Sequence, residues 1–136
     1  LFSAASYGSI RCLRYLLEYE SADSHIRSYN GFQPIHYASA SGHSECVKFL
    51  LNFAPDTVNE QTTALLTPIY LACQKGSLET AQILASRGAN CKLRDENGLN
   101  CLHAGWIFFV FSLFFSNFNR LFQLVKILNC ILFNGW

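Results

Sequence analysis

At 136 residues the chain has the length of one domain. A net charge of +1 gives no overall pull toward nucleic acid. The six cysteines (12, 46, 73, 91, 101 and 130) show no CxxC pair and no zinc spacing, so they read as free thiols packing as small hydrophobes in a reducing compartment, cytoplasmic or nuclear.

A 34-residue period organises the first three-quarters of the chain. Pro34 and Pro68 are one period apart, Gly8, Gly42 and Gly76 repeat the spacing, and so do Leu1, Ile35 and Ile69. A period of this length makes each unit one supersecondary element that buries its apolar face only against its neighbours. The first unit, 1–29, opens inside a repeat without a Met, which reads as a chain lacking its N-terminal part. Its Ala4-Ala5 begins a short helix that Gly8 breaks, and Ile10, Leu13, Leu16 and Leu17 then recur at helical spacing.

The second unit, 30–63, opens at the turn signal Asn30-Gly31. Pro34 stands at a helix start, Gly42 at its end, and Cys46, Val47, Leu50 and Leu51 form the stripe of a second helix. The third unit, 64–96, repeats this with Pro68, Ala72, Gly76, Ala81, Ile83 and Leu84, closing at Gly88-Ala89-Asn90. A fourth begins at Asn97-Gly98 and runs to Gly105.

The stretch Gln33-Pro34-Ile35-His36-Tyr37-Ala38-Ser39-Ala40-Ser41-Gly42-His43 resembles the ankyrin-repeat signature, and Gly88-Ala89-Asn90 resembles the turn that follows the second helix in that family. The resemblance covers residues 1–105. It implies an all-α solenoid of helix-turn-helix units with β-hairpin fingers and a concave binding face. It makes Gly8, Pro34, His36, Gly42, Pro68, Gly76 and His103 structural, with His36 and His103 hydrogen-bonding within and between fingers. Two positions depart from the pattern: Leu65 replaces the finger glycine, which predicts a looser or differently shaped finger, and Tyr70 replaces the histidine. The phrasing around Leu66–Cys73 and Glu45-Cys46 is similar to ankyrin proteins that carry a SOCS box and recruit substrates to a ubiquitin ligase, although no such box lies in this sequence. Two complete units with open ends are expected to fold weakly on their own.

After Gly105 the register fails. Residues 106–136 contain eight of the twelve Phe, both Trp and no acid. Three readings stand: a membrane segment over 106–133, interrupted by Arg120 and Lys126; an amphipathic cap over the open end of unit three; or translation of an AT-rich intron or a shifted reading frame, since 21 of these 31 residues are Phe, Leu, Ile, Asn or Lys.

No nucleophile motif, phosphate loop or metal-ligand spacing appears, so no cofactor and no catalysis are expected. Asp95-Glu96 reads as a solvated turn. What remains is a surface for a protein partner. On the fingers its candidates are Arg27, Tyr29, Phe32 and Gln33, then Leu65 and Leu66, then Arg94, Glu96 and Asn97; on the first helices they are Tyr37, Ser41, Leu71 and Lys75. Aromatic side chains are common interface anchors, which puts Tyr29, Phe32 and Tyr37 first.

Overall fold

The computed structural model describes residues 1–106 together with 125 and 129. The three readings of the Phe-rich segment therefore fall almost wholly outside the described residues. Among those described, no helix is long and apolar enough to cross a membrane.

The described residues are helical, with no strand among them. Three helix pairs follow one another: α1 (Phe2–Ser6) with α2 (Ile10–Arg14), α3 (Pro34–Ser41) with α4 (Ser44–Phe53), and α5 (Pro68–Lys75) with α6 (Leu78–Ser86). A further helical turn covers 101–106. The first helices stack as α1, α3, α5 and the second helices as α2, α4, α6.

Local chemistry sets each boundary. Pro34 and Pro68 occupy the first turn of α3 and α5, where a backbone N–H would be unpaired anyway. The Thr67 hydroxyl accepts the Tyr70 N–H at 3.3 Å, capping α5. Gly42 and Gly76 end α3 and α5 in the same left-handed conformation, at φ of 76° in both. In the second helices Cys46, Val47, Leu50 and Leu51 are buried, as are Ala81 and Leu84 one period later. Each such side chain contributes about 1–3 kcal/mol by leaving water.

The three second helices end differently. Unit three has Gly88 to turn the chain at φ 86°, but unit two has Ala54 at that place and continues into a 3-10 turn, Pro55–Asn59. Unit one has no glycine there either. Its helix, expected to run on regularly, widens into a π-helix, Tyr15–Tyr19, and Ser21 takes the left-handed turn at φ 51°.

Cys12 departs from expectation. Its equivalent Cys46 is buried, but Cys12 is exposed, because α2 stands at the end of the described second-helix row and is flanked in that row by α4 alone.

Candidate binding surface

The fingers are tight turns rather than β-hairpins among the described residues. Each is closed in the same way: Gly31 N–H to Ser28 O at 2.9 Å, Leu65 N–H to Thr62 O at 2.9 Å and Gly98 N–H to Asp95 O at 3.0 Å. The side chain that opens each turn accepts the N–H four residues on. Ser28 takes Phe32 at 3.1 Å, Thr62 takes Leu66 at 3.2 Å, and Asp95 takes Leu99 at 2.8 Å. Successive fingers share a single backbone bond, Thr63 N–H to Asn30 O at 3.1 Å and Glu96 N–H to Ala64 O at 3.2 Å. One backbone bond per step, joined at the first step by Thr63 Oγ1 donating to Asn30 O at 3.0 Å, aligns the tips without a strand ladder.

The loss of the finger glycine does not change the finger's shape, contrary to expectation. Leu65 adopts φ 59°, close to Gly31 at 74° and Gly98 at 78°. The turn bonds and the contact to Glu96 hold it there, at a cost of about 1 kcal/mol for an L side chain.

Two different bolts fasten a first helix to the finger segment that follows it. His36 is fully buried; its Nδ1 accepts the Gln33 N–H at 3.0 Å, so Nε2 carries the proton and donates to Glu60 O at 2.9 Å. Burial pushes its pKa down to about 4, against a smaller upward pull from the Glu60 carbonyl, and keeps the ring neutral. One unit later Tyr70 stands in its place. The Tyr70 hydroxyl donates to Asp95 Oδ2 at 3.0 Å, while Asp95 Oδ1 accepts Asn97 N–H at 2.9 Å as well as Leu99. Burial, then the bond to Asp95 and its charge, push the Tyr70 phenol up to about 12. Burial pushes the Asp95 carboxyl upward, but the donors from Leu99, Tyr70 and Asn97 outweigh it and leave the pKa below its usual value. Asp95 is thus a buried joint, not the solvated turn residue expected. Nothing in the spacing announced this, because the Tyr for His exchange looks like a loss until the carboxylate at the head of the next finger is placed beside it.

His103 repeats the inner half of the histidine bolt, accepting the Asn100 N–H at 3.2 Å. His43 ties units one and two differently: its ring packs over Gly8, and Nε2 donates to Ser6 O at 2.9 Å. A Cβ at Gly8, which sits at φ 73°, would come 2.6 Å from that ring.

The candidate surface residues separate into groups. Tyr29, Leu65, Glu96, Asn97, Arg94 and Lys75 are exposed, and Tyr29 wholly so. Phe32, Tyr37, Ser41 and Leu66 are half-buried. Tyr37 lies between Phe2 and Phe32, with ring centroids 5.2 and 5.3 Å away. Gln33 (2 % exposed) and Leu71 (5 %) are buried and leave the surface set. The Gln33 side chain is turned inward, with Nε2 donating to His25 O at 3.4 Å. Arg27 is exposed but committed: it donates to Gly31 O at 3.3 Å, to Gln61 O at 3.0 Å and to the Glu60 carboxylate. Gln61 and Arg94, at the same register, donate to Leu65 O at 2.9 Å and Gly98 O at 2.8 Å. These three long side chains brace the fingers from outside, and two of them, Arg27 and Arg94, were expected to face a partner.

The comparisons with known proteins follow the same units. The family description "Ankyrin repeats (many copies)" matches residues 1–51, and "Ankyrin repeat" matches 65–96. The chain is 36% identical over 105 residues to "Probable E3 ubiquitin-protein ligase XBOS32" of Oryza sativa subsp. japonica, covering 76% of this chain and 21% of that protein. It is 33% identical over 69 residues to human "Protein phosphatase 1 regulatory subunit 27", covering 51% of this chain and 44% of that one. It is 30% identical over 104 residues to mouse "B-cell lymphoma 3 protein homolog", covering 74% and 23%. The chain spans less than half the length of each of these relatives. Repeated helix pairs, stacked fingers and two separate family matches agree, and the chain belongs to the ankyrin-repeat family.

Proposed function

We propose that this chain is a non-catalytic adaptor module that binds a protein partner across its first helices and finger tips. The carrying observation is the placement of accessible side chains at equal register in successive units: Tyr29, Thr63 and Glu96 on the tips, and Tyr7, the half-buried Ser41 and Lys75 along the first helices. Their neighbours do most of the packing, which leaves these positions to recognition, with Thr63 Oγ1 also donating to Asn30 O at 3.0 Å. In this reading the units divide at 29/30, 63/64 and 96/97, and the buried free thiols suit a reducing cytoplasmic or nuclear setting.

A finer reading makes the module the substrate-recruiting part of a ubiquitin-ligase adaptor. It is supported by the relative named as a probable E3 ligase, matched over three-quarters of this chain. The test is affinity purification with the wild-type chain, with a Tyr29→Ala/Lys75→Glu double variant, and with Lys48→Glu on α4. Partners lost only with the double variant support the surface; partners indifferent to it, or lost with Lys48→Glu, overturn it. Ubiquitin-ligase subunits among the partners that are lost would support the finer reading, and their absence would leave the coarser one.

A further inference from the structure

Charge is distributed unevenly between the two helix layers. The helices Phe2–Ser6, Pro34–Ser41, Pro68–Lys75 and 101–106 contain no Asp or Glu, and Lys75 is their one Lys or Arg. The fingers at 28–33 and 62–67 hold no charged residue. The third finger adds Asp95, already taken up by Tyr70, and Glu96 at its tip. Carboxylates gather instead on the second helices and their loops, among them Glu18, Glu45, Asp56 and Glu79.

On this acid-free layer the Phe2–Tyr37–Phe32 rings form a half-exposed apolar cluster. Lys75 stands exposed in the last turn of α5, the helix packed directly on α3. Neighbouring helix axes lie roughly 8–10 Å apart. Lys75 is also displaced along the axis by about one turn relative to Tyr37's register, roughly 5–6 Å. The two anchors are therefore on the order of 11 Å apart, which extended chain crosses in about three or four residues.

We infer that the concave face takes an extended peptide segment that sets an aromatic or large aliphatic side chain against the Phe2–Tyr37–Phe32 cluster and a carboxylate, three or four residues away, against Lys75. The inference rests on the binding reading above and specifies its partner. A basic segment would meet Lys75 with no acid beside it on the first helices, whereas an acidic one meets a single uncompensated cation next to an uncharged apolar strip. Such a pairing sets register and partner choice more than affinity.

The experiment is selection of random linear dodecapeptides on the full 136-residue chain, followed by fluorescence anisotropy of the selected peptides. Binding is measured on wild type, Lys75→Glu, Tyr37→Ser and the α4 control Lys48→Glu, with circular dichroism confirming that each is folded. The expected peptides pair an apolar residue with an acid at that spacing. Lys75→Glu weakens them roughly tenfold, and exchanging the peptide's acid for Lys restores binding to that variant. Lys48→Glu changes nothing. Peptides that need Tyr37 but lack the acid, or ignore Lys75→Glu, overturn the segment inference and leave the concave-face reading standing. Peptides indifferent to both concave variants, or a selection that enriches nothing over a blank surface, overturn both.

Discussion

The joint that ties α3 to the segment leading into the second finger and the joint that ties α5 to the third finger do the same job with opposite electrostatics. At the first, a neutral imidazole spans from the Gln33 N–H to the Glu60 carbonyl. At the second, a phenol reaches an ionised carboxylate that also organises the next finger. The first works only while the ring is uncharged, and the second only while the acid is charged. A repeat position is therefore defined by the bond it must make across the step, not by residue type. Tyr70 is tolerated because the third finger begins with Asp95, where fingers one and two begin with Ser28 and Thr62.

Acid separates the two joints and carries the largest expected effect. His36 has its folded pKa depressed from 6.5 to about 4. Between those values the unfolded chain binds a proton that the folded chain refuses, so stability falls as pH drops through that window. At 1.36 kcal/mol per unit the loss totals roughly 3 kcal/mol, a large share of a small array's stability. Asp95 also has its folded pKa depressed, so its contribution is present above the ordinary carboxylate range and is lost only as pH falls through its own lower value. Urea titrations from pH 7.5 to 3 should show the first decline beginning near neutrality. His36→Gln should start from a lower plateau and stay flat from pH 6.5 to 4, keeping only the later fall. A wild-type midpoint unchanged between pH 6.5 and 4.5 would show that His36 is not held neutral in the fold.

The second joint is tested at neutral pH. Tyr70→Phe keeps the ring and removes the donor to Asp95, whose carboxylate retains the Asn97 and Leu99 N–H groups. A hydrogen bond to a charged acceptor contributes about 1.5–3 kcal/mol, and the surviving donors put the expected loss near the lower end. The readout is a lower urea midpoint at pH 7.5 with an unchanged m-value. An equal midpoint for Tyr70→Phe and wild type would mean that packing alone carries this step.

How legible this was differed by layer. The repeat spacing of Gly8, Gly42 and Gly76 and of Pro34 and Pro68 placed the helices, because helix ends depend on local backbone chemistry that a sequence displays. The buried stripe of α4 was equally plain, since Cys46, Val47, Leu50 and Leu51 lie at one helical spacing. Beyond the histidine bonds that the family resemblance implied, the bonds that tie the fingers were not visible. Arg27 and Arg94 looked like free finger cations, but each bends back to a turn carbonyl, and Gln33 looked like a fingertip residue but points inward. In each case a partner is a backbone carbonyl, joined for Arg27 by the Glu60 carboxylate, and a carbonyl leaves no mark in the sequence. The Ser28, Thr62 and Asp95 series could have been found, because three residues able to accept a hydrogen bond share one register.

The smallest expected effect concerns the finger between the two joints. Leu65 sits at φ 59°, where its equivalents are glycines, and its side chain is largely in solvent. Leu65→Gly relieves about 1 kcal/mol of left-handed strain, while glycine's extra freedom in the unfolded chain takes part of that back. The net expectation is a gain of roughly 0.5 kcal/mol, read as a small rise in urea midpoint. The comparison sharpens if the gain persists in the Tyr70→Phe background, because the Leu65 turn touches the third finger through Ala64 O and the Glu96 N–H rather than through Asp95. Additivity would mean that the finger and the joint are separate fasteners. A gain that vanishes once the Tyr70 hydroxyl is removed would mean that the strained turn is held in place by the same bond that joins α5 to the third finger.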